Sequence, residues 1–318
     1  MLFRSLGNDL YVVGHLSQSI SHTTKQLRIL SRDLTTSSSI ISDGEDTVCS
    51  NFGPGTIIVP IVSSNRVIGV LVAGNKQGSD SMASSVDIKL LSASASQLAI
   101  FLENASLYED LNATFIGTLE ALSSAIDAKD RYTCGHSKRV ALLTADLARA
   151  AGLEKEQVDR FQICGIVHDI GKIGVPESVL LKDGKLTDEE FDKIRMHPEI
   201  GARILRDIPN LEDIIEGVLH HHERFDGNGY PHGIAGTKIP LVARMIAIAD
   251  TFDAMSSNRT YRPAMAHEDV LIELKRVMGT QFDPELVALF LELDFSKWDE
   301  LVDEQQANAP TNEGRKAA

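Results

Sequence analysis

Residues 155–174 read KEQVDRFQICGIVHDIGKIG, a stretch whose apolar residues recur with helical periodicity up to a histidine–aspartate pair. The pair, His168-Asp169, stands near a helix C-terminus that Gly171 marks. A histidine–aspartate pair is common by chance. It indicates a site only if other ligands converge on it.

The segments around this stretch also predict helices. Helical periodicity continues to about residue 293, Thr187 and Glu190 have the spacing of a capping box, and Gly152 stands where a helix C-cap belongs. Upstream, residues 86–126 predict one long helix or two nearly continuous ones. Its narrow apolar stripe favours a homodimer seam, and the alternative is that the stripe packs onto each domain in turn.

The N-terminal part has a different pattern. Two β-branched apolar runs within residues 56–74, separated by SSNR, predict a β-hairpin, and short apolar runs near 2–3 and 10–13 predict further strands. The last stretch is polar and predicts a disordered tail. We therefore expect a multidomain chain with an N-terminal α/β domain, a long connecting helix, an all-α domain and a tail.

Composition limits the classes of function. The chain has 318 residues, 43% of them hydrophobic and 24% charged, with a net charge of −14. This charge argues against a broad basic surface for duplex nucleic acid or an anionic membrane. Cys49, Cys134 and Cys164 have no metal-ligand spacing, which fits a reducing compartment, and no signal peptide or uninterrupted apolar span is evident. We expect a cytoplasmic protein that does not enter membranes.

Potential metal ligands are concentrated in the predicted helical domain. Asp250 follows the apolar run MIAIA, where an ionised carboxylate is costly unless it meets a cation. The imidazole and carboxylate groups exceed what one tetrahedral site needs, so two divalent ions bridged by a carboxylate are expected. Iron or manganese fits this donor set, and zinc, nickel and cobalt stay open. The candidate ligands are His136, His168, Asp169, His197, His221, His222 and Asp250.

Four motifs carry a family resemblance. They are HDIGK at 168–172, HP at 197–198, HHERFDGNGYP at 221–231 and IADTFDAMSSNRTYR at 248–262. In this order and spacing they resemble the HD-GYP family of cyclic di-GMP phosphodiesterases, metal-dependent phosphohydrolases with a helical fold. The resemblance runs from about Leu119 to Leu293.

The resemblance implies roles for the metal ligands. The implied ligands of a bimetal centre are His168, Asp169, His197, His221, His222 and Asp250, with Asp169 as the catalytic bridge and His136 as the first histidine of the pattern. Some family members hold a third ion with a glutamate where this chain has Tyr132, so we expect two ions, although Asp130 lies close by.

Further residues are implied to handle substrate. Lys172 resembles the catalytic cation that contacts the scissile phosphate, Arg259 the phosphate-binding arginine and Tyr230 the tyrosine of the signature loop. Asp253 resembles a supporting residue near the lysine. Glu223 and Asp226 are expected to shape the loop, and the histidines without a ligand counterpart are His220, His232 and His267.

The implied activity is hydrolysis of cyclic di-GMP to pGpG, with GMP as a further product. Two alternatives stay open: an HD phosphohydrolase for another cyclic dinucleotide or nucleotide, and a silent module that only binds cyclic di-GMP. Tyr230 and Arg259 favour cyclic di-GMP as the substrate.

The N-terminal region carries a second resemblance. Residues 56–110, with the hairpin followed by IFLENASLY, resemble the second half of a GAF domain. This implies a GAF-like sensory domain at 1–108, either whole or truncated, before an HD-GYP domain at 109–295 and a tail at 296–318. Such domains bind small molecules and signal through the connecting helix. The alternative is a structural or dimerising domain with an empty pocket.

Overall fold

The computed structural model describes residues 2–6, 9–13, 40–42, 55–74, 76, 82–129, 135–182, 184–257 and 264–308. The chain divides into two compact units, Met1–Ala113 and Thr114–Ala318. The predicted domain limits at residues 108 and 295 remain predictions.

The first unit contains an antiparallel sheet of five strands. The strands lie in the order β2-β1-β5-β4-β3. The predicted hairpin is confirmed: β4 and β5 are joined by Ser64 and Asn65, both with positive φ, as a tight hairpin turn requires. The strands are β1 Leu2–Leu6, β2 Asp9–Val13, β3 Ile40–Ser42, β4 Thr56–Ser63 and β5 Arg66–Ala73.

A single helix, α1, spans Ser85–Lys129, so the predicted connector is one continuous helix. Ser84 and Asp87 cap its start reciprocally: the Ser84 N–H donates to Oδ2 of Asp87 at 2.8 Å, and the Asp87 N–H donates to Oγ of Ser84 at 3.2 Å. Apolar residues two apart on β4 and three or four apart on α1 form the core of this unit. These buried residues are Ile57, Val59, Ile61, Ala95, Ala99 and Leu102.

Much of α1 exposes apolar side chains. Phe101, Leu107, Tyr108 and Leu111 are each at least 60% exposed. Among the described residues, the segment Ser85–Asp127 is the one helix that is long and apolar enough to cross a membrane by length and composition. A single helix of this kind is weak evidence for a membrane span, because many helices of water-soluble proteins pass the same test.

The second unit is helical throughout its described residues. Two short 3-10 helices, Ile170–Gly174 and Gly236–Lys238, interrupt the α-helices. The helices are α2 His136–Ala150, α3 Lys155–Val167, α4 Glu177–Leu180, α5 Asp188–Arg195, α6 His197–Leu205, α7 Glu212–His220, α8 Leu241–Ser256, α9 His267–Arg276, α10 Pro284–Phe290 and α11 Ser296–Asn308. The predicted capping box starts α5, where Thr187 and Glu190 cap each other.

One core holds these helices together. Side chains of α2, α3, α7 and α8 interlock around fully buried residues such as Leu143, Ile214 and Phe252. Glycines permit two close approaches. A Cβ on Gly165 would lie 2.7 Å from Cα of Ala141, and one on Gly171 would overlap the carbonyl oxygen of His197. The second approach brings the 3-10 helix against the start of α6.

The predicted disordered tail is wrong in its first half. Residues Ser296–Asn308 form α11, and the Trp298 side chain is only 2% exposed. Its indole packs on Phe252 and His267, and its Nε1 donates to Oδ1 of Asp253 at 2.7 Å. One buried indole therefore anchors a helix whose other residues are mostly polar. Residues 309–318 lie outside the described part of the chain.

We expect Trp298→Ala to lower the free energy of unfolding of the second unit by about 3–5 kcal/mol, because it removes a buried indole and leaves a cavity. Lys297→Ala, at the exposed neighbouring position, is the matched control and should change stability by less than about 0.5 kcal/mol. Urea denaturation followed by circular dichroism measures both. Equal stability of the two variants would show that α11 does not dock through Trp298.

Candidate metal centre

Helix ends bring the predicted metal ligands together. His136 and His197 are the first residues of α2 and α6, and His168 and His221 directly follow α3 and α7. Asp250 lies within α8. Side chains at helix ends lie next to the loops, where they can converge without interrupting a helix.

Backbone carbonyls fix the orientation of three of these histidine rings. The Nδ1 atoms of His168, His197 and His221 lie 2.7–2.8 Å from the carbonyl oxygens three residues earlier. A carbonyl oxygen only accepts, so each Nδ1 carries the proton and donates it. In the neutral rings, Nε2 is therefore an unprotonated lone-pair donor, as a metal ligand must be.

Two of these Nε2 atoms face each other. The Nε2 atoms of His197 and His221 are 3.2 Å apart. Burial, together with the charges that the neighbouring histidines His222 and His168 would carry, holds the pKa of His221 well below its ordinary value, so this ring is neutral. When both rings are neutral, their Nδ1 protons are donated to carbonyls and no proton is left for a bond between the two Nε2 atoms. A cation bound to both would remove the repulsion of their lone pairs.

Asp169 lies between the histidines. Its Oδ1 is 3.2 Å from Nε2 of His197, and its Oδ2 is 3.4 Å from Nε2 of His168 and 3.8 Å from Nε2 of His136. Oδ2 is also 2.7 Å from Nζ of Lys172. Burial would raise the pKa of this carboxyl, but the Lys172 ammonium, together with the charges that His168 and His197 carry when protonated, holds it well below its usual range. One oxygen of the ionised carboxylate thus lies near His197 and the other near His168 and His136, an arrangement that suits a bridging ligand.

The donor atoms form overlapping groups. Within each group the atoms lie within 4.8 Å of one another, and the groups are His197 with His221 and His222, His136 with His168 and Asp250, and His168 with Asp169 and His221. The structure thus brings all seven predicted ligands together. Nε2 of His168 is buried and finds no hydrogen-bond partner in the part of the chain that the structure describes, so a cation could bind it. The residues fit a site that binds metal ions.

Asp253 contacts the Nδ1 side of the His136 ring. Its Oδ2 is 2.8 Å from Nδ1 of His136, and its Oδ1 accepts from Nε of Arg139 at 2.6 Å. Burial would lower the pKa of His136, but hydrogen bonds to Asp250 and Asp253 outweigh it and raise this pKa to about 10. A metal ion must therefore displace a proton from His136. We predicted Asp253 near Lys172, and its observed contacts are with His136, Arg139 and Trp298.

The loop after α7 places Tyr230 at the centre. Its ring stacks on His222 with a centroid distance of 4.8 Å and an interplanar angle of 28°, and its N–H donates to the His222 carbonyl. Gly229 passes so close to Glu223 that a Cβ would overlap the backbone there. Burial, with the charges of Asp250 and Asp169, raises the pKa of Tyr230, so its phenol keeps its proton at neutral pH.

Sequence reasoning missed two arginines near these residues. The Arg195 guanidinium lies 5.7 Å from the ring centroid of Tyr230. Arg139 shares a helix face with His136 three residues earlier, a spacing that could have revealed it. Arg195 stands two residues before His197, and no pattern pointed to it. Arg259, Tyr132 and Asp130 lie outside the described residues, so their predicted roles stay predictions.

Comparisons with known proteins agree with the motifs. The HD domain family matches residues 120–286. The chain is 36% identical over 221 residues to the 3′3′-cGAMP-specific phosphodiesterase 2 of Vibrio cholerae, covering 69% of this chain and 42% of that protein. It is 38% identical over 210 residues to a cyclic di-GMP phosphodiesterase of Thermotoga maritima, covering 65% and 56%.

A third relative is the cyclic di-GMP phosphodiesterase response regulator RpfG of Xanthomonas campestris, 40% identical over 176 residues, with 55% of this chain and 47% of that protein covered. The chain spans about half the length of these relatives. The HD family match covers more than half of the chain and contains all seven converging ligands. The chain belongs to the HD domain family.

Proposed function

We propose that this protein is a metal-dependent phosphodiesterase that hydrolyses cyclic di-GMP to pGpG, with GMP as a further product. The observation that carries the proposal is the convergence of two ligand groups on Asp169, whose two oxygens face different histidines. Relatives that match this region are named as phosphodiesterases of cyclic dinucleotides, which supports the same class of reaction.

The proposed cofactors are two divalent metal ions, iron or manganese before zinc, nickel or cobalt, because the donors are imidazole nitrogens and carboxylate oxygens. The chemistry that such ions supply when bound is a lowered pKa of water and neutralisation of charge on a phosphate. His168, Asp169, His197, His221, His222, Asp250 and His136 are the proposed ligands.

Lys172 is the proposed contact to the scissile phosphate. Its ammonium group lies 2.7 Å from Oδ2 of Asp169, and its side chain is 17% exposed. An ammonium group at the rim of the ligand groups can donate to a phosphate oxygen and neutralise charge that develops there. Arg259 remains the second proposed phosphate contact.

Tyr230 is proposed to hold the nucleotide at the centre. Its protonated phenol can donate a hydrogen bond, and its ring presents an aromatic surface to a guanine base. Arg195 adds a cation next to that ring, which suits an anionic substrate. Arg195 and Tyr230 thus lie next to each other at the loop of residues 221–231.

A second candidate substrate is 3′3′-cGAMP. Relatives of 36% and 37% identity are named as phosphodiesterases specific for it. It has the same two phosphodiester bonds with one adenine in place of guanine, so the same groups could hold it. A silent binding module is less well supported, since a module that has lost activity usually lacks ligands and all seven predicted ligands converge here.

The first unit is proposed as a GAF-like sensory domain that binds a small molecule. Its support is the five-stranded antiparallel sheet packed on α1, together with the sequence resemblance. We further propose homodimerisation through α1, because Phe101 and Tyr108 are exposed and seven residues apart, the spacing of a coiled-coil seam. The proposed location is the cytoplasm.

The double variant His168→Ala/Asp169→Ala should abolish hydrolysis and lower the metal content, because it removes a histidine shared by two of the ligand groups and the carboxylate proposed as the bridge. Protein purified anaerobically is assayed for metal and for turnover of cyclic di-GMP and 3′3′-cGAMP by chromatography. His267→Gln, a histidine outside the ligand groups, is the matched control. Hydrolysis by the double variant at the parent rate would refute the assignment, and preferential turnover of 3′3′-cGAMP would identify that substrate.

Tyr230→Ala should raise KM while leaving the metal content unchanged. A base stacked on an aromatic ring contributes about 1–3 kcal/mol, which corresponds to about 5- to 150-fold in KM. Tyr230→Phe keeps the ring and loses only the hydroxyl, so it separates stacking from hydrogen bonding. A parallel loss of metal and activity in Tyr230→Ala would mean that Tyr230 supports the ligands instead of the substrate.

Phe101→Glu should convert the proposed dimer into a monomer, because a charge at the seam must be desolvated on association. Ser96→Glu adds the same charge at another exposed position of α1 and should leave the dimer intact. Light scattering coupled to gel filtration measures both. A wild-type chain that is monomeric at micromolar concentration would contradict the proposal.

A further inference from the structure

A second group of ligand-type side chains lies apart from the seven residues of the centre. His220, Glu223 and His232 each offer one donor atom, and these atoms lie within 4.8 Å of one another. The rings of His220 and His232 have a centroid distance of 5.2 Å. The family resemblance assigns none of these three residues a metal.

Two of the three side chains carry unsatisfied buried atoms. His220 is 7% exposed and Glu223 is 4% exposed. Among the described residues, Nδ1 of His220 and Oε2 of Glu223 have no hydrogen-bond partner, and Nδ1 lies 3.7 Å from the other carboxylate oxygen, Oε1. A buried nitrogen and a buried carboxylate oxygen without partners are costly. The donor atoms of the two side chains lie within 4.8 Å of each other, so one cation can bind both.

The other ring nitrogen of His220 has a carboxylate next to it. Nε2 of His220 lies 3.4 Å from Oε2 of Glu216, one helical turn earlier on α7. Histidines that bind metals usually donate their second ring nitrogen to a carboxylate or carbonyl, which fixes the ring and leaves the first nitrogen unprotonated. Glu216 therefore fits the role of an orienting partner, with Nδ1 as the ligand atom.

We propose that His220, Glu223 and His232 bind a divalent transition metal ion, with zinc as the preferred ion. Two imidazoles and one carboxylate make a donor set that zinc accepts in sites with one open position. His232 is exposed, so an ion can enter from solvent and keep a water molecule as its fourth ligand. This site is separate in its ligands from the centre that holds Asp169, and the proposal does not depend on the substrate.

The ion would tie together the two ends of the loop that carries Tyr230. Oε1 of Glu223 already accepts from the N–H groups of His232 and Gly233, at 2.7 Å and 3.1 Å. Coordination of Oε2 and of the His232 ring by one ion adds a second link across the same ends. Occupancy of this site therefore stiffens the segment that holds Tyr230 on His222.

The test counts metal ions in a full-length background without the main centre, His168→Ala/Asp169→Ala/His197→Ala. After treatment with a chelator and dialysis, Zn²⁺ is titrated by calorimetry and counted by elemental analysis. We expect one equivalent to bind. It should be lost when His232→Ala is added, a change at an exposed position, and retained with His267→Gln as the control.

Two further variants test the chemistry of the site. Glu223→Gln keeps an acceptor for the two loop N–H groups but loses the anionic ligand, so zinc binding should be lost while the loop remains closed. Glu216→Gln removes only the orienting carboxylate and should weaken binding by about 10- to 100-fold. If background and His232→Ala proteins bind the same number of ions with the same affinity, the site does not exist.

Hydrogen exchange in the wild-type full chain provides a readout that does not depend on the background variant. Saturating Zn²⁺ should slow exchange of the backbone amides of residues 223–233, and the slowing should be absent in His232→Ala. Equal slowing in wild type and His232→Ala would assign the effect to the Asp169 centre and overturn the proposal.

Discussion

The contact between the Nε2 atoms of His197 and His221 is the constraint on which the site depends. Both rings donate Nδ1–H to backbone carbonyls, so in their neutral forms neither ring has a proton for the other across 3.2 Å. In that state a hydrogen bond between the two rings is not possible. A cation can bind both Nε2 atoms, and Asp169 stands beside them with an ionised carboxylate. Packing thus holds the two lone pairs together, and a metal ion would be stabilised by their convergence.

Helix geometry explains why this arrangement is rigid. Each carbonyl that accepts from Nδ1 of His168, His197 or His221 lies three residues before that histidine. The last turn of the preceding helix therefore orients each ring. Gly171 then allows the segment after Asp169 to approach the carbonyl of His197, which sets the distance between two ligand-bearing segments. Replacing that hydrogen with a methyl group would separate them. Backbone contacts thus orient three of the seven proposed ligands, His168, His197 and His221.

The sequence predicts the proposed metal ligands better than it predicts the residues that contact and orient them. The convergence of the seven proposed ligands could be predicted from the motifs, because metal chemistry restricts such positions to residue types such as histidine and aspartate. The roles of Asp253, Arg139 and Trp298 depend on contacts between residues as far apart as 117 and 45 positions, which periodicity does not reveal. The same reason explains α11: a polar sequence predicts a disordered tail unless the pocket for its one indole is known. Arg195 lies near Tyr230 because the end of α5 is close to the loop of residues 221–231, a tertiary contact that sequence periodicity does not reveal.

His220 is the last residue of α7, and His221 and His222 follow it. Their rings divide between two environments because successive residues at a helix end point about 100° apart. His221 faces His197 and His222 stacks on Tyr230, while the ring of His220 meets His232. Glu223 follows on the side of His220, where Oε1 accepts from the loop N–H groups and Oε2 has no hydrogen-bond partner within the described ranges. If Glu223 served only to accept hydrogen bonds from the two loop N–H groups, a neutral side chain with one acceptor oxygen would suffice. A buried carboxylate with a free oxygen beside a free imidazole nitrogen is better explained by a bound cation.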